Sequence, residues 1–330
     1  MKLTHIVPDD RPSFGNAVTP MDEQGEEINE AGVRLMLRYM AEGGTTVFVG
    51  GPHATEFVNL DRAERRRCWE IGIETLKGKS PVCAIPFGPA STTELIGLFK
   101  LAKSMGFDGA QLYPGAQDGH GNDGLFRHEA ERYFRDVLEA VDMPLYLCGY
   151  HGAEIIDAPG KRIPHEMLLR LVDDYPHIAG VTISSAEDSV LKEFLAGMNG
   201  RRPVRLSGAY DWFHALELGI YGFHSIQQSI APGLCARMMK AYYAGDKAIA
   251  KTLSDRIMQL NHIIHAPQRY YPRTLKPALK HIGLPVGKIR RPYLPIPDDE
   301  IARMTLTLSA PDSSYVTGVI LPVDGGVTAR

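Results

Sequence analysis

Cysteine pairs and charge of a single sign are both scarce in this chain, and each absence excludes a class of protein. The four cysteines, at positions 68, 83, 148 and 235, include no CxxC pair, so the sequence predicts neither a zinc knuckle nor a disulfide framework. A net charge of −3 over 330 residues offers no basic field to nucleic acid or to an anionic membrane. We therefore expect reduced thiols and no nucleic-acid or membrane partner.

Long hydrophobic runs are also missing. No segment has the uninterrupted apolar length that spans a bilayer. The first twelve residues carry Asp9 and Asp10 where a secretory signal would need an apolar core. These features predict a cytoplasmic protein.

Short apolar runs alternate with longer amphipathic ones, which indicates parallel strands that are each covered by a following helix. Eight such units in about 240 residues predict an α/β fold, the (β/α)8 TIM barrel. A doubly wound sheet would need a phosphate-binding glycine turn directly after its first strand, and the only GxGxxG match, at 119–124, comes later. We expect a barrel at 1–245, a C-terminal helical extension at 246–303 and a tail at 304–330. The predicted strands are 16–18, 46–50, 82–86, 109–113, 144–148, 178–182, 204–207 and 221–224.

Active sites of such barrels lie at the C-terminal ends of the strands, where four residues with reactive side chains fall. His53, Cys148, His151 and His224 could form an acid/base set or ligate a soft metal, or they could simply line a pocket as hydrogen-bonded histidines and a small buried thiol. Their spacing carries no metal signature. We therefore predict neither a metal nor a cofactor.

Several short motifs are spread over residues 13–303. They are Ala17-Val-Thr-Pro20, the spacing of Glu56, Leu60 and Glu64, Ser207-Gly208, Lys276-Pro-Ala-Leu and Gly283-Leu-Pro. Together they resemble the dihydrodipicolinate synthase and N-acetylneuraminate lyase family, which implies a (β/α)8 barrel that often assembles as a homo-oligomer. We accordingly expect a dimer or tetramer.

The resemblance also implies a Schiff-base lysine at the end of the sixth strand, a tyrosine in a YNxP turn and a Thr-Thr pair in a GTTGE segment. All three are altered here. The lysine position is Thr182, the YNxP positions read Cys148-Gly-Tyr-His151, and GTTGE reads Pro52-His-Ala-Thr-Glu56. A threonine hydroxyl cannot form an imine, so the family's covalent mechanism is not carried over. Lys161, in the loop after the fifth strand, is the first substitute to consider, although a surface lysine is the ordinary interpretation of that position.

The resemblance and the strand-end rule together give the candidate site. We assign proton transfer to His53, Tyr150 and His151, and we interpret Glu56 as a structural anchor. Ser185, three residues before Asp188, is interpreted as a helix cap in a capping box. The predicted substrate-binding residues are Thr19, Thr55, Cys148, Thr182, Ser184, Ser207 and His224.

Three functions follow from these residues. The first is a lyase or related enzyme acting on a small oxo- or hydroxy-acid without imine catalysis. The second is a catalytically inert relative that binds a small acid or assists assembly. The third is an NAD(P)-dependent reductase, suggested only by residues 308–326, which are similar to the end of a short-chain dehydrogenase. That family's YxxxK is matched by Tyr243 and Lys247 through spacing alone.

Overall fold

Eight parallel strands close into a barrel in chain order, with the first strand paired to the eighth. The computed structural model describes residues 13–51, 55–87, 91–114, 125–149, 157, 163–185, 187–208, 210–264 and 273–297. The strands are β1 Ser13–Asn16, β2 Thr46–Gly50, β3 Val82–Ile85, β4 Gly109–Leu112, β5 Leu145–Gly149, β6 Ile178–Ile183, β7 Val204–Leu206 and β8 Gly222–His224. The predicted (β/α)8 barrel is confirmed.

An outer layer of helices follows the strands. It consists of α1 Glu30–Glu42, α2 Arg62–Leu76, α3 Thr92–Met105, α4 Arg127–Ala140, α5 His165–Asp174, α6 Asp188–Met198, α7 Trp212–Leu218, α8 Gln227–Ile230 and α9 Pro232–Tyr243. Beyond them lie α10 Lys247–Ile264 and α11 Leu275–His281, in the region where a helical extension was predicted. No helix in the described part of the chain has the length and apolar character needed to cross a membrane.

Helix α2 shows how local sequence fixes an element of the outer layer. Asp61 accepts from the Glu64 N–H while the Glu64 carboxylate accepts from the Asp61 N–H, so two of the otherwise unpaired amides at the helix start are satisfied. The buried face carries Trp69, whose indole N–H donates to the Val49 carbonyl at 3.1 Å. The helix is thereby held against strand β2.

The first strand differs from its prediction by a few residues. It spans Ser13–Asn16 rather than 16–18, although the Ala17 N–H still donates to the Phe48 carbonyl at 2.9 Å. Ala17 is buried like the strand residues, which is why the hydrophobic pattern places the strand too late.

Strand registry determines which side chains fill the barrel. Phe14, Phe48 and Tyr146 form one interior aromatic cluster. Residues at alternate positions point to the same side of a strand. Cys148 therefore points inward two positions after Tyr146, and its registry partner on β6 is Thr182. Thr182, which the resemblance aligns with the family's lysine, thus faces the barrel interior.

Candidate functional site

The residues predicted to transfer protons belong to the loops after the strands. His53, Tyr150 and His151 lie outside the described residues, as do Lys161 and the GxGxxG segment at 119–124. The described part of the candidate site consists of the strand ends, which form the floor of the barrel's C-terminal face.

Thr182 lies near the end of β6, between Cys148 of β5 and Arg205 of β7 in the registry of the sheet. Its side chain is buried, and its Oγ1 has no hydrogen-bond partner among the described residues. A buried hydroxyl without a partner costs free energy. Thr182 consequently presents a donor and an acceptor that no described residue uses, at the position that the resemblance aligns with the family's lysine.

Arg205 is a candidate functional residue that the sequence patterns did not single out. The side chain is completely buried, and its guanidinium carbon lies 4.1 Å from the ring centroid of Tyr146, 4.6 Å from that of Phe14 and 5.5 Å from that of Phe48. Its Nη2 donates to Gln111 Oε1 at 3.3 Å, whereas Nε and Nη1 have no partner in the described part of the chain. The signal was present in the sequence, because an arginine stands between Val204 and Leu206 in a strand predicted to be buried.

The charge of Arg205 is not compensated by any described carboxylate. Burial lowers its pKa, and the groups that oppose this shift are phenols and thiols, including Tyr146, Cys83 and Cys148. An arginine nevertheless remains protonated at neutral pH. The three aromatic rings stabilise the cation through their faces, but they leave the barrel with a net positive interior next to Thr182.

His224, at the end of β8, lies on the strand next to that of Arg205, and both side chains contact the Phe48 ring. Its ring stacks near Phe48, with centroids 4.7 Å apart, and its Nε2 lies 2.6 Å from Asn16 Oδ1. Because the amide oxygen only accepts, Nε2 carries the proton and Nδ1 keeps its lone pair. Nδ1 is buried without a partner among the described residues. Burial, reinforced by the Arg205 charge, holds the pKa of His224 well below its usual value, so the ring is neutral at pH 7.

The remaining predicted pocket residues fall into two groups. Thr55 is buried and its hydroxyl donates to the Gly51 carbonyl at 2.8 Å, while its backbone carbonyl accepts from the Thr19 N–H at 3.1 Å. These contacts hold the turn after β2 against β1. Ser184 and Ser207 are half-buried at the ends of β6 and β7, beside Thr182 and Arg205. The structure therefore brings Cys148, Thr182, Ser184, Ser207 and His224 to one face.

Glu56 occupies a left-handed backbone conformation, with φ of 60°, and its side chain is buried. Its Oε2 lies 2.5 Å from Lys276 Nζ, and its Oε1 accepts from the Arg290 N–H at 2.7 Å. Burial raises the pKa of Glu56 and lowers that of Lys276, while their mutual attraction opposes both shifts. The predicted anchor is thus observed as an ion pair between the barrel and α11.

The predicted capping box at Ser185 is wrong. Helix α6 begins at Asp188 with Glu187 as its N-cap, and Ser185 Oγ accepts instead from the Glu187 N–H at 3.1 Å. The Asp188 carboxylate is drawn away from a cap because it accepts from the Tyr210 hydroxyl and contacts His214 Nε2 at 2.9 Å. The helix therefore starts two residues later than a cap at Ser185 would require.

Other chemistries find no support in the described part of the chain. No group of three or more His, Cys, Asp or Glu side chains there is arranged to hold a metal ion. The Tyr243 hydroxyl donates to the Tyr221 carbonyl at 2.5 Å, and Lys247 pairs with Glu217 at 2.6 Å. The two residues of the YxxxK match therefore make separate contacts, Tyr243 at the end of α9 and Lys247 at the start of α10.

Comparison with known proteins gives consistent results. A sequence model of the Dihydrodipicolinate synthetase family matches residues 11–310. The 4-hydroxy-tetrahydrodipicolinate synthase of Phenylobacterium zucineum is 30% identical over 302 residues, covering 91% of this chain and 96% of the relative. The enzyme of the same name from Acidiphilium cryptum is 29% identical over 293 residues, covering 88% and 95%.

Solved structures show the same fold. The chloride-inhibited dihydrodipicolinate synthase from Acinetobacter baumannii, complexed with pyruvate, superposes with a TM-score of 0.79 at 24% identity, covering 92% of this chain and 99% of that one. The dihydrodipicolinate synthase from Thermotoga maritima gives a TM-score of 0.79 at 18% identity, covering 94% and 100%.

Proposed function

The chain belongs to the dihydrodipicolinate synthetase family, and on this premise we propose that it is a lyase or related enzyme that acts on a small oxo- or hydroxy-acid without forming an imine. The observation that carries the proposal is the position of Thr182, which faces the barrel interior on β6 with a hydroxyl that has no partner among the described residues. A hydroxyl there can orient a carbonyl or carboxylate by hydrogen bonding, but it cannot replace an amine as a covalent electron sink.

No described lysine takes over the covalent role. None of them lies on a barrel strand. Lys276 is the buried one, and its Nζ is bound to the Glu56 carboxylate and to the Lys288 carbonyl at 2.6 Å. With Nζ engaged by these two oxygens, the amine is not free to attack the carbonyl of a ligand. This supports a mechanism in which binding and proton transfer replace imine formation.

In the proposed reaction, a bond next to the ligand's carboxylate is made or broken while side chains move protons. We assign that transfer to His53, Tyr150 and His151, since histidine and tyrosine are suited to general acid/base work. Thr182 and Ser184 would orient the acid at the end of β6.

A second candidate is an inert relative that binds a small acid without turnover. One observation favours it: the Thr55 hydroxyl, at a position of the family's GTTGE segment, already donates its proton to the Gly51 carbonyl. It is therefore not free to donate to a ligand in place of the family's Thr-Thr pair, whose positions in this chain are His53 and Ala54.

We also propose that the protein is cytoplasmic and forms a homo-oligomer. The support is family membership, although one solved structure that matches this chain is described as a monomeric dihydrodipicolinate synthase variant. Sedimentation equilibrium of the purified protein would give the mass directly, and a single species of 36.4 kDa would contradict the homo-oligomer.

The function is tested by borohydride trapping combined with a turnover assay. The protein is incubated with pyruvate and other 2-oxo acids, reduced, and examined by intact-protein and peptide mass spectrometry. Small oxo- and hydroxy-acids are followed in parallel by proton NMR. Turnover without an adduct is the expected result. A trapped adduct would overturn the proposal and its peptide would identify the lysine, whereas binding of acids without any turnover would favour the inert relative.

A further inference from the structure

The guanidinium of Arg205 poses an energetic problem within the barrel. A fully buried charge is costly unless it is paired and hydrogen-bonded, and here two of its nitrogens have no partner in the described ranges. The ring contacts with Tyr146, Phe14 and Phe48 offset part of this cost. The rings carry no negative charge, however, and an anion is the partner that Nε and Nη1 of Arg205 would bind most strongly.

Two further unpartnered polar atoms belong to the neighbouring strands. Thr182 is the registry partner of Arg205 on β6, and its Oγ1 is unsatisfied among the described residues. His224 follows on β8, packs on the same Phe48 ring as Arg205, and leaves Nδ1 without a described partner. The adjacent strands β6, β7 and β8 thus carry the hydroxyl of Thr182, the guanidinium of Arg205 and the Nδ1 lone pair of His224.

We propose that these three side chains bind a small 2-hydroxy acid, with the carboxylate of the ligand on Arg205. The Thr182 hydroxyl donates a second hydrogen bond to the carboxylate, and His224 Nδ1 accepts the hydrogen bond of the ligand hydroxyl. This assignment rests on the proposed function for the general class of ligand, and it selects the hydroxy-acid because a neutral imidazole lone pair needs a donor.

In this arrangement Arg205 places positive charge next to the ligand, as the imine of the family's lysine would otherwise do. An imine places a positive charge next to the ligand through a covalent bond. Arg205 places a fixed positive charge at the adjacent strand position without any bond being formed. Preorganised charge of this kind stabilises negative charge that develops on a bound ligand.

The test is binding by isothermal titration calorimetry with three ligands of similar size: lactate, propionate and lactamide. Lactate has both recognised groups, propionate lacks the hydroxyl, and lactamide lacks the charge. We expect lactate to bind more tightly than propionate and lactamide to bind most weakly. Equal binding of lactate and lactamide, or no binding of lactate, would overturn the assignment.

Variants then locate the interaction. Arg205→Met should weaken lactate binding by roughly 10- to 100-fold, the range for a lost charge-assisted hydrogen bond. Arg62→Met is the matched control, because it removes the same charge from an exposed side chain of α2. Arg205→Lys keeps the charge and provides the comparison if the methionine variant does not fold. Unchanged lactate affinity in a folded Arg205→Met variant would refute the role of Arg205. If only Arg205→Lys folds, unchanged affinity there would refute it, because an ammonium cannot supply the paired N–H donors of a guanidinium.

Different measurements would contradict the proposed enzymatic function and the proposed binding of a 2-hydroxy acid. Lactate binding that depends on Arg205, with no turnover of any acid, would contradict only the enzymatic proposal. Turnover that persists in a folded Arg205→Met variant with unchanged KM would contradict only the binding assignment.

Discussion

Lowering the pH should destabilise this protein through His224, and the size of the effect can be worked out. The ring is neutral in the folded state because burial and the Arg205 charge hold its pKa well below the usual value. In the unfolded chain the same histidine titrates near 6.5. The unfolded state therefore binds more protons as the pH falls, so the free energy of unfolding decreases.

The direction of the stability change and the pH range in which it occurs follow from the difference between the folded and unfolded pKa of His224. A depressed folded pKa leaves stability intact above about pH 7.5 and removes about 1.4 kcal/mol per pH unit below about 6.5, until the folded pKa is reached. Between pH 7.5 and pH 5.0 the loss amounts to about 2 kcal/mol when the folded ring stays neutral over this whole range, because the unfolded histidine titrates near 6.5.

The assay is urea unfolding at pH 7.5 and pH 5.0 and constant ionic strength, for the wild type and for His224→Gln. The variant loses its stacking on Phe48 at both pH values, so its pH dependence is what matters. We expect it to lose about 2 kcal/mol less than the wild type on acidification. His177, whose pKa burial also lowers, is present in both proteins and cancels. His128→Gln, on the exposed face of α4, should behave like the wild type. Equal pH dependence of His224→Gln and wild type would refute the reasoning.

Three other predictions concern the anchor, the lysine position and a helix cap. Glu56→Gln leaves Lys276 charged and buried without its partner, so urea unfolding should show a loss of about 3–5 kcal/mol; the double variant with Lys276→Met should recover part of it, and no recovery would mean that the pair is not coupled. Thr182→Lys places an amine in the barrel interior, where a neighbouring cation and burial lower its pKa; borohydride and pyruvate should then give an adduct on that peptide, and its absence would show that the interior excludes pyruvate. Asp61→Ala removes the N-cap of α2 and should cost about 1 kcal/mol in thermal or urea unfolding, with an unchanged midpoint contradicting the cap.

The barrel could be predicted from the sequence because its strands are buried on both faces and read as short apolar runs before amphipathic helices. The position of Thr182 on the sixth strand could also be predicted, because residues 178–182 read as one buried strand. Its equivalence to the family's lysine stays a prediction. Arg205 was missed because an apolar pattern shows that a strand is buried but not what its one polar side chain contacts. Three aromatic residues from β1, β2 and β5 surround that guanidinium, and their convergence exists only once the barrel is closed.

The cap at Ser185 failed for a different physical reason. A capping box is a local pattern, but Asp188 binds Tyr210 and His214, side chains at and just before α7. Tertiary contacts thus overrode a local preference. The assignments of His53, Tyr150 and His151 stay predictions, since these residues fall in the loops outside the described ranges.

The contact between Glu56 and Arg290 has a consequence for the order in which the protein matures during synthesis. The two residues are 234 positions apart, and Lys276 joins them from almost as far along the chain. A nascent chain can therefore pair β1 with β2 long before the buried carboxylate that follows β2 receives its cation. Contacts of such high sequence separation form late because they close the longest loops. The ion pair between Glu56 and Lys276 can therefore form only after most of the chain has been synthesised. A truncated product that ends before Lys276 would lack this link between the segment after β2 and α11.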